Sequence, residues 1–179
     1  MSVDKREYKV TDAEQLQLLQ AQLKQLLQEQ RSLLISSIDD EGLPHASYAP
    51  FVQVPEDQGF YIFVSELAAH TQYVLDRPQV QAMIIEDEAR TKNIFARLRV
   101  TYSCNAQEIS RDEPSYDQIL DAMTQRCGKT LELLRSFVDF KLIRLLPSKG
   151  VLVTGFGKAY RIDTKGHLEH ITEKNLKQK

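Results

Sequence analysis

Apolar residues first recur at helical spacing. Leu16, Leu19, Leu23, Leu26 and Leu27 lay one stripe along Thr11 to Gln30, and glutamine fills the opposite face. Thr11 suits an N-cap, and Glu14 three residues on completes a capping box. From Arg31 the period falls to two. RSLLISSI predicts a strand, Asp39 to Gly42 a turn and LPHASYAPFVQV a second strand, together a hairpin with Gly42 supplying the turn conformation. Pro44 and Pro50 carry no N–H, so this strand is expected to be an edge, or bulged, at those points. After the turn PEDQG, FYIFVS at 60–65 is a continuous apolar strand. A helix over Glu66 to Asp76, a break at Pro78 and a strand over Gln79 to Glu86 follow. Beyond a charged loop, Arg97 to Ala106 reads as a long strand. Asp112 to Leu134 reads as helix, capped by Asp112 or Ser115 and broken at Gly128. Phe137 to Leu146 alternates like a strand, Pro147 to Gly150 reads as a turn, and Gly150 to Arg161 as a last hairpin-like segment in which Gly155 and Gly157 flank Phe156. Residues 163–179, polar and lysine-rich, read as a mobile tail or a short terminal helix.

Six to eight strands with tight turns, interrupted by helices, predict an α+β fold built on a closed, mainly antiparallel barrel. The expected organisation is an N-terminal amphipathic helix region over 1–30, the barrel over 31–162 and the polar tail over 163–179. A chain of 179 residues holds one such core. The net charge of −2 gives no pull toward nucleic acid or an anionic membrane, and no apolar run approaches the ~20 residues of a membrane span. MSVDKREYKV has no apolar signal core, so a cytoplasmic protein is expected. Cys104 and Cys127 lack CxxC spacing, which argues against a thiolate zinc site.

Several residues are candidates for chemistry. His70 and Thr71 fall at the start of the helix over 66–76, where unpaired N–H groups favour an anion such as the phosphate of FMN or a propionate of haem; the plainer reading of His70 is a residue packed on the barrel. Arg97 and Arg99, two apart on a predicted strand, would face one side as a carboxylate or phosphate clamp, or else pair with Glu86 and Asp87. Asp139, set among apolar residues, needs a partner, unless it is an exterior charge with Val138 and Phe140 pointing inward. Lys158 and Tyr160 share a strand face and, with Ser47 and Tyr48, would line a pocket for a planar ligand; the alternative is barrel filling by Tyr160. His170 and His167 are possible iron ligands or solvated histidines. The acidic run Glu86, Asp87, Glu88 reads as a solvated loop or as partner to Arg90 and Lys92. No phosphate-binding glycine motif or hydrolase triad spacing is present.

Four segments together carry a resemblance: PHASYAPFV at 44–52, SELAAHTQYVLDRPQVQAMIIEDEA at 65–89, IFARLRVTY at 94–102 and VTGFGKAYRI at 153–162. They resemble the pyridoxamine 5'-phosphate oxidase-like, FMN-binding split barrels, and within them the HugZ/HutZ haem-utilisation family. The resemblance implies a split β-barrel, a homodimer with the ligand at the subunit interface, and haem binding in the cytoplasm with oxidative cleavage that releases iron, fed by O₂ and an electron donor. It implies that an arginine of FARLR contacts the tetrapyrrole, Arg99 ahead of Arg97; in such a dimer the Asp139 carboxylate, in need of a partner, would orient a histidine across the interface. The family's iron-ligating histidine lies near the end of its tail; TEKNLKQK has none, and His167 and His170 lie just before it. Two other functions are open on this resemblance: an FMN-dependent oxidoreductase with His70, Thr71 and Arg99 around the phosphate, and a haem carrier without catalysis.

Overall fold

The structure, a computed structural model, describes residues 13–55 and 57–172. Among the described residues, eight antiparallel strands form one sheet. They are β1 (Ser32–Ile38), β2 (Pro44–Val52), β3 (Phe60–Ser65), β4 (Gln79–Ile85), β5 (Arg99–Ile109), β6 (Phe140–Gly155), β7 (Lys158–Ile162) and β8 (Leu168–His170). The order β3-β2-β1-β4-β5-β6 closes on itself through β3–β6 pairing, and β7 and β8 extend the sheet beyond β6. The helices are α1 (Ala13–Glu29), α2 (Ala69–Asp76), α3 (Tyr116–Cys127) and α4 (Thr130–Leu134). The expected α+β barrel is therefore present. Thr11, the expected cap of α1, lies outside the described residues.

Burial follows the sequence period. Inward residues of alternate parity, among them Leu33, Ile35, Ala82, Ile84, Val100 and Leu152, fill the barrel with Phe51, Phe60 and Ile62. The apolar stripe of α1 closes one end, with Leu19 and Leu26 buried and Leu16, Leu23 and Leu27 packed on the same core. Strand β3 is apolar at nearly every position because both its faces are covered. Tyr61 and Phe63 point away from the barrel into a second core with Ile119, Leu120 and Met123 of α3 and Leu131 of α4. Gly128, at φ 107°, separates those two helices as its position in the sequence predicts.

Strand β2 explains its prolines. Phe51 donates its backbone N–H to Arg31 O, so the odd-numbered residues of β2 bond toward β1. Even-numbered residues bond the other way, where β3 is paired only at Phe51 and Val52. Pro44 and Pro50 thus fall on the open side of a strand whose neighbour has split away, where a missing N–H costs nothing.

Three expectations are corrected. Pro147 to Gly150 is not a turn: β6 runs through it, and Pro147 is tolerated because Ser148 is an extra residue in the ladder to β5, a bulge where Cys104 pairs Pro147 and Ser103 pairs Lys149. Residues 163–172 are not a loose tail or a helix, since Leu168–His170 pairs with β7. Residues 137–139 precede β6 instead of opening it, and Val138 is 85% exposed instead of pointing inward.

Gly150 is required by close approach, not by a turn. A Cβ there would stand 2.6 Å from the Thr101 carbonyl oxygen and 2.7 Å from the Tyr102 ring. Gly150→Ala is expected to lower stability by about 1–3 kcal/mol, read as a reduced urea midpoint; an unchanged midpoint would show that β5 and β6 are not packed this tightly.

Candidate functional site

The short connection from β3 into α2 is held by a relay of hydrogen bonds. Leu67 N–H donates to Ser65 Oγ (3.1 Å), and Ser65 Oγ–H donates to Asp139 Oδ2 (2.6 Å). Glu66 N–H donates to the Asp139 carbonyl (2.8 Å). These bonds fix the Asp139 carboxylate beside the turn that starts α2. Thr71 is buried in the first turn and spends its hydroxyl on Ser65 O (2.6 Å), so it shapes the turn and does not point a free O–H at a ligand.

Helix α2 packs over β1 and β2 and encloses a polar cluster. Ser37 of β1 stands opposite His45 of β2, and His45 shares its strand face with Ser47. The His45 ring packs edge-on against Tyr73, one helical turn beyond His70, at 5.2 Å between centroids. Ser37 Oγ, His45 Nδ1, Ser47 Oγ and His70 Nε2 are all buried atoms without a hydrogen-bond partner in the chain. So many orphaned polar atoms in one place are costly unless water or a ligand completes them. His45 and Ser37 were not singled out from the sequence. The parity of PHASYAPF carried the signal, because it sets His45 beside Ser47.

Burial, and secondarily the nearby His45, hold the His70 pKa below its ordinary value of 6.5. A histidine whose folded pKa is depressed stabilises the fold as the neutral form above pH 6.5, and that stability is lost as pH falls through the lower folded value.

The outer face of the sheet is a second surface. Side-by-side residues run Tyr48, Leu34, Met83, Thr101, Val151 across β2, β1, β4, β5 and β6, and the adjoining row holds Ile85, Arg99 and Val153. Tyr48, Leu34 and Val151 are exposed. Arg99 is a cation of this face, its Nη1 donating to Arg97 O (2.9 Å), and Arg161 of β7 stands opposite Val151 at the end of the first row. Arg97 itself precedes β5, so the two arginines do not form a clamp on one strand face. The Arg97 Nε donates to Glu86 O (2.8 Å), and its Nη1 lies 3.4 Å from Glu88. Arg90 pairs with Glu29, not with the acidic run.

Tyr160 is buried, and its hydroxyl accepts from Gln15 of α1. Lys158 is exposed near the tip of the β6–β7 hairpin. Neither strand neighbour of β7 is β2: β3 and β6 stand between them on one side of the barrel and β1, β4, β5 and β6 on the other. His170 packs on Tyr160 and bonds Gly157 O through Nε2 (3.1 Å). His167 sits in the β7–β8 turn with Nδ1 on Asp163 Oδ2 (2.9 Å), while Asp163 also accepts the backbone N–H groups of residues 165 and 167. That geometry orients the ring and turns Nε2 outward, the arrangement by which carboxylates fix metal-binding histidines.

A closed antiparallel barrel with a split between β2 and β3, helices packed on it and an apolar outer sheet face define the split-barrel class. The sequence model described as Pyridoxamine 5'-phosphate oxidase matches residues 19–154. Heme oxygenase HutZ of Vibrio cholerae is 38% identical over 144 residues, 80% of this chain and 81% of that protein. The chain belongs to the HugZ/HutZ family within the pyridoxamine 5'-phosphate oxidase-like superfamily. The crystal structure of Campylobacter jejuni ChuZ superposes with a TM-score of 0.79 at 28% identity, covering 87% of this chain and 63% of that one, so the chain spans less than two thirds of ChuZ. Crystalline HutZ from V. cholerae, described as a heme storage protein, superposes with a TM-score of 0.70 at 34% identity, covering 83% of this chain and 99% of that one. No helix among the described residues is long and apolar enough to cross a membrane.

His70→Gln is expected to flatten the acid side of the stability curve: below pH 6.5 the variant loses less stability than the parent. Thermal midpoints measured from pH 7.5 to 5 would check this, and parallel curves would remove His70 from the acid response.

Proposed function

We propose that this chain is a cytoplasmic haem-binding protein of iron acquisition, working as a homodimer that holds haem between its subunits and opens it oxidatively. The observation that carries the reading is the outer sheet face, which sets the Arg99 guanidinium beside a row of side chains that includes exposed Tyr48, Leu34 and Val151 and that ends at a second guanidinium, Arg161. Haem needs such a surface, apolar for the macrocycle and cationic for its propionates. A second copy would cover the apolar rows and close a pocket that one chain leaves open. The family membership and the likeness to HutZ support the same reading.

The residues fit haem as follows. Arg99 pairs with a propionate. His167 is the better iron ligand of the two tail-proximal histidines, because Asp163 holds its Nδ1 and leaves Nε2 to coordinate, whereas His170 Nε2 is engaged by Gly157 O. Asp139 is fixed by Ser65 as a proton-accepting or histidine-orienting carboxylate. Bound haem supplies the iron redox chemistry with O₂, and an external electron donor drives it. The chain's share is to orient the macrocycle and keep its charged edge paired.

A non-catalytic storage role is the second reading, favoured by the description of HutZ as a heme storage protein. Adding ascorbate to the haem complex separates them. Loss of the Soret band with chelatable iron released is expected for cleavage, and a stable spectrum would mean storage. Arg99→Ala is expected to weaken hemin binding about tenfold, the loss of one charge-assisted bond, and His167→Ala to abolish the Soret shift that His170→Ala retains. An unaltered titration for Arg99→Ala and His167→Ala would refute these assignments.

A further inference from the structure

Two histidines meet under α2 with no acid bonded to either. His45 stands opposite Ser37 and lies edge-on to Tyr73, and His70 sits one helical turn before Tyr73. Their inward atoms, His45 Nδ1 and His70 Nε2, are buried and unbonded, as are the hydroxyl oxygens of Ser37 and Ser47. A neutral imidazole tolerates this, because its inward nitrogen can be the one that carries a lone pair and no proton. A protonated imidazole carries N–H at both nitrogens. Protonation therefore puts a buried donor and a charge where nothing accepts them.

The surroundings offer no counter-charge. Helix α2 packs on β1, β5 and β2. From the interior side β1 brings Ser37, β2 brings His45 and Ser47, and β5 brings the Cys104 thiol, which burial pushes up to about 12. Glu108 of β5 and Glu66 ahead of α2 are both taken by Lys141. On α2 itself Asp76 accepts from Gln72, and Arg77 adds a further cation, bonded to the carbonyls of Ile38 and Asp39 and 3.9 Å from Asp40. Among the described residues no carboxylate bonds His45 or His70. Burial and the nearby His45 hold the His70 pKa below 6.5, so the packed position of α2 is favoured above pH 6.5 and is lost as pH falls through the lower value.

The start of α2 is also where Asp139 is tied down. Thr71, next to His70, holds Ser65 O, while the N–H groups of Glu66 and Leu67 run to Asp139 O and Ser65 Oγ. Any movement of this first turn reaches the Ser65–Asp139 bond.

We propose that α2 is a proton-sensitive flap: protonation of His70 beside His45 expels the imidazole, lifts the first turn of α2 and frees Asp139 from Ser65, while the barrel stays closed. Closure rests on β3–β6 pairing, in which α2 takes no part. The flap does not depend on haem.

Hydrogen exchange of the purified full chain, read by mass spectrometry and corrected for the intrinsic pH dependence of amide exchange, tests this. Protection over residues 66–77 is expected to fall about tenfold between pH 7.5 and 5, with residues 140–146 unchanged. The fall is expected to vanish in His70→Gln, whose side chain stays neutral throughout. Steady protection over 66–77 in the parent, a parallel loss over 140–146, or a fall that persists in His70→Gln would each overturn the proposal. The first two outcomes are read on the parent chain alone.

Discussion

Everything in this fold depends on how β6 divides its hydrogen bonds. Its first half pairs with β3 from Phe140 to Leu145 and closes the barrel, while its second half leaves β3 and pairs with β7. One strand thus serves both the barrel and the flat extension of the sheet. The Ser148 bulge falls between the two halves, adding twist where the strand changes partner. Gly150, just beyond it, lets β5 and β6 stay close across the change. With β3 committed to β6, the rest of β2 has no neighbour on its open side, and the split appears over residues 44–50.

That split sets the site. Helix α2 packs against β1, β5 and β2, and the space beneath it is lined by small polar and imidazole groups instead of aliphatic ones. The fold accepts four orphaned polar atoms there although the remaining barrel interior is apolar. Polar groups left unpaired in this way are a cost to stability that makes sense for binding. The outer sheet face carries the complementary cost. Leu34, Tyr48 and Val151 stay exposed in a single chain, a cost that the proposed second subunit would remove.

Much of this was legible in the sequence. The leucine stripe of α1, the apolar run of β3, the glycine break between α3 and α4 and the edge prolines of β2 each followed from local period or backbone chemistry. What failed was decided at long range. PSKG has the composition of a turn, and only pairing with Cys104 and Ser103 makes it a bulged strand. The short β8 exists because β7 offers it a ladder, which no property of Leu168–His170 announces. Arg97 reads as a strand residue beside Arg99 until Glu86 O captures its guanidinium. Asp139 was singled out as a carboxylate in need of a partner, but the partner, Ser65, is 74 residues away. For the candidate site, His70 and Ser47 were found by position, whereas His45 and Ser37 emerge only when β1 and β2 are laid in register.

Under the proposed function the outer sheet face serves haem and not a flavin. Parallel absorbance titrations of the purified protein with hemin and with FMN test it most directly. A haem site gives a saturable Soret shift at one haem per subunit and no comparable flavin binding. Saturable FMN binding with no response to hemin would contradict it and move the protein to the flavin-dependent side of its superfamily.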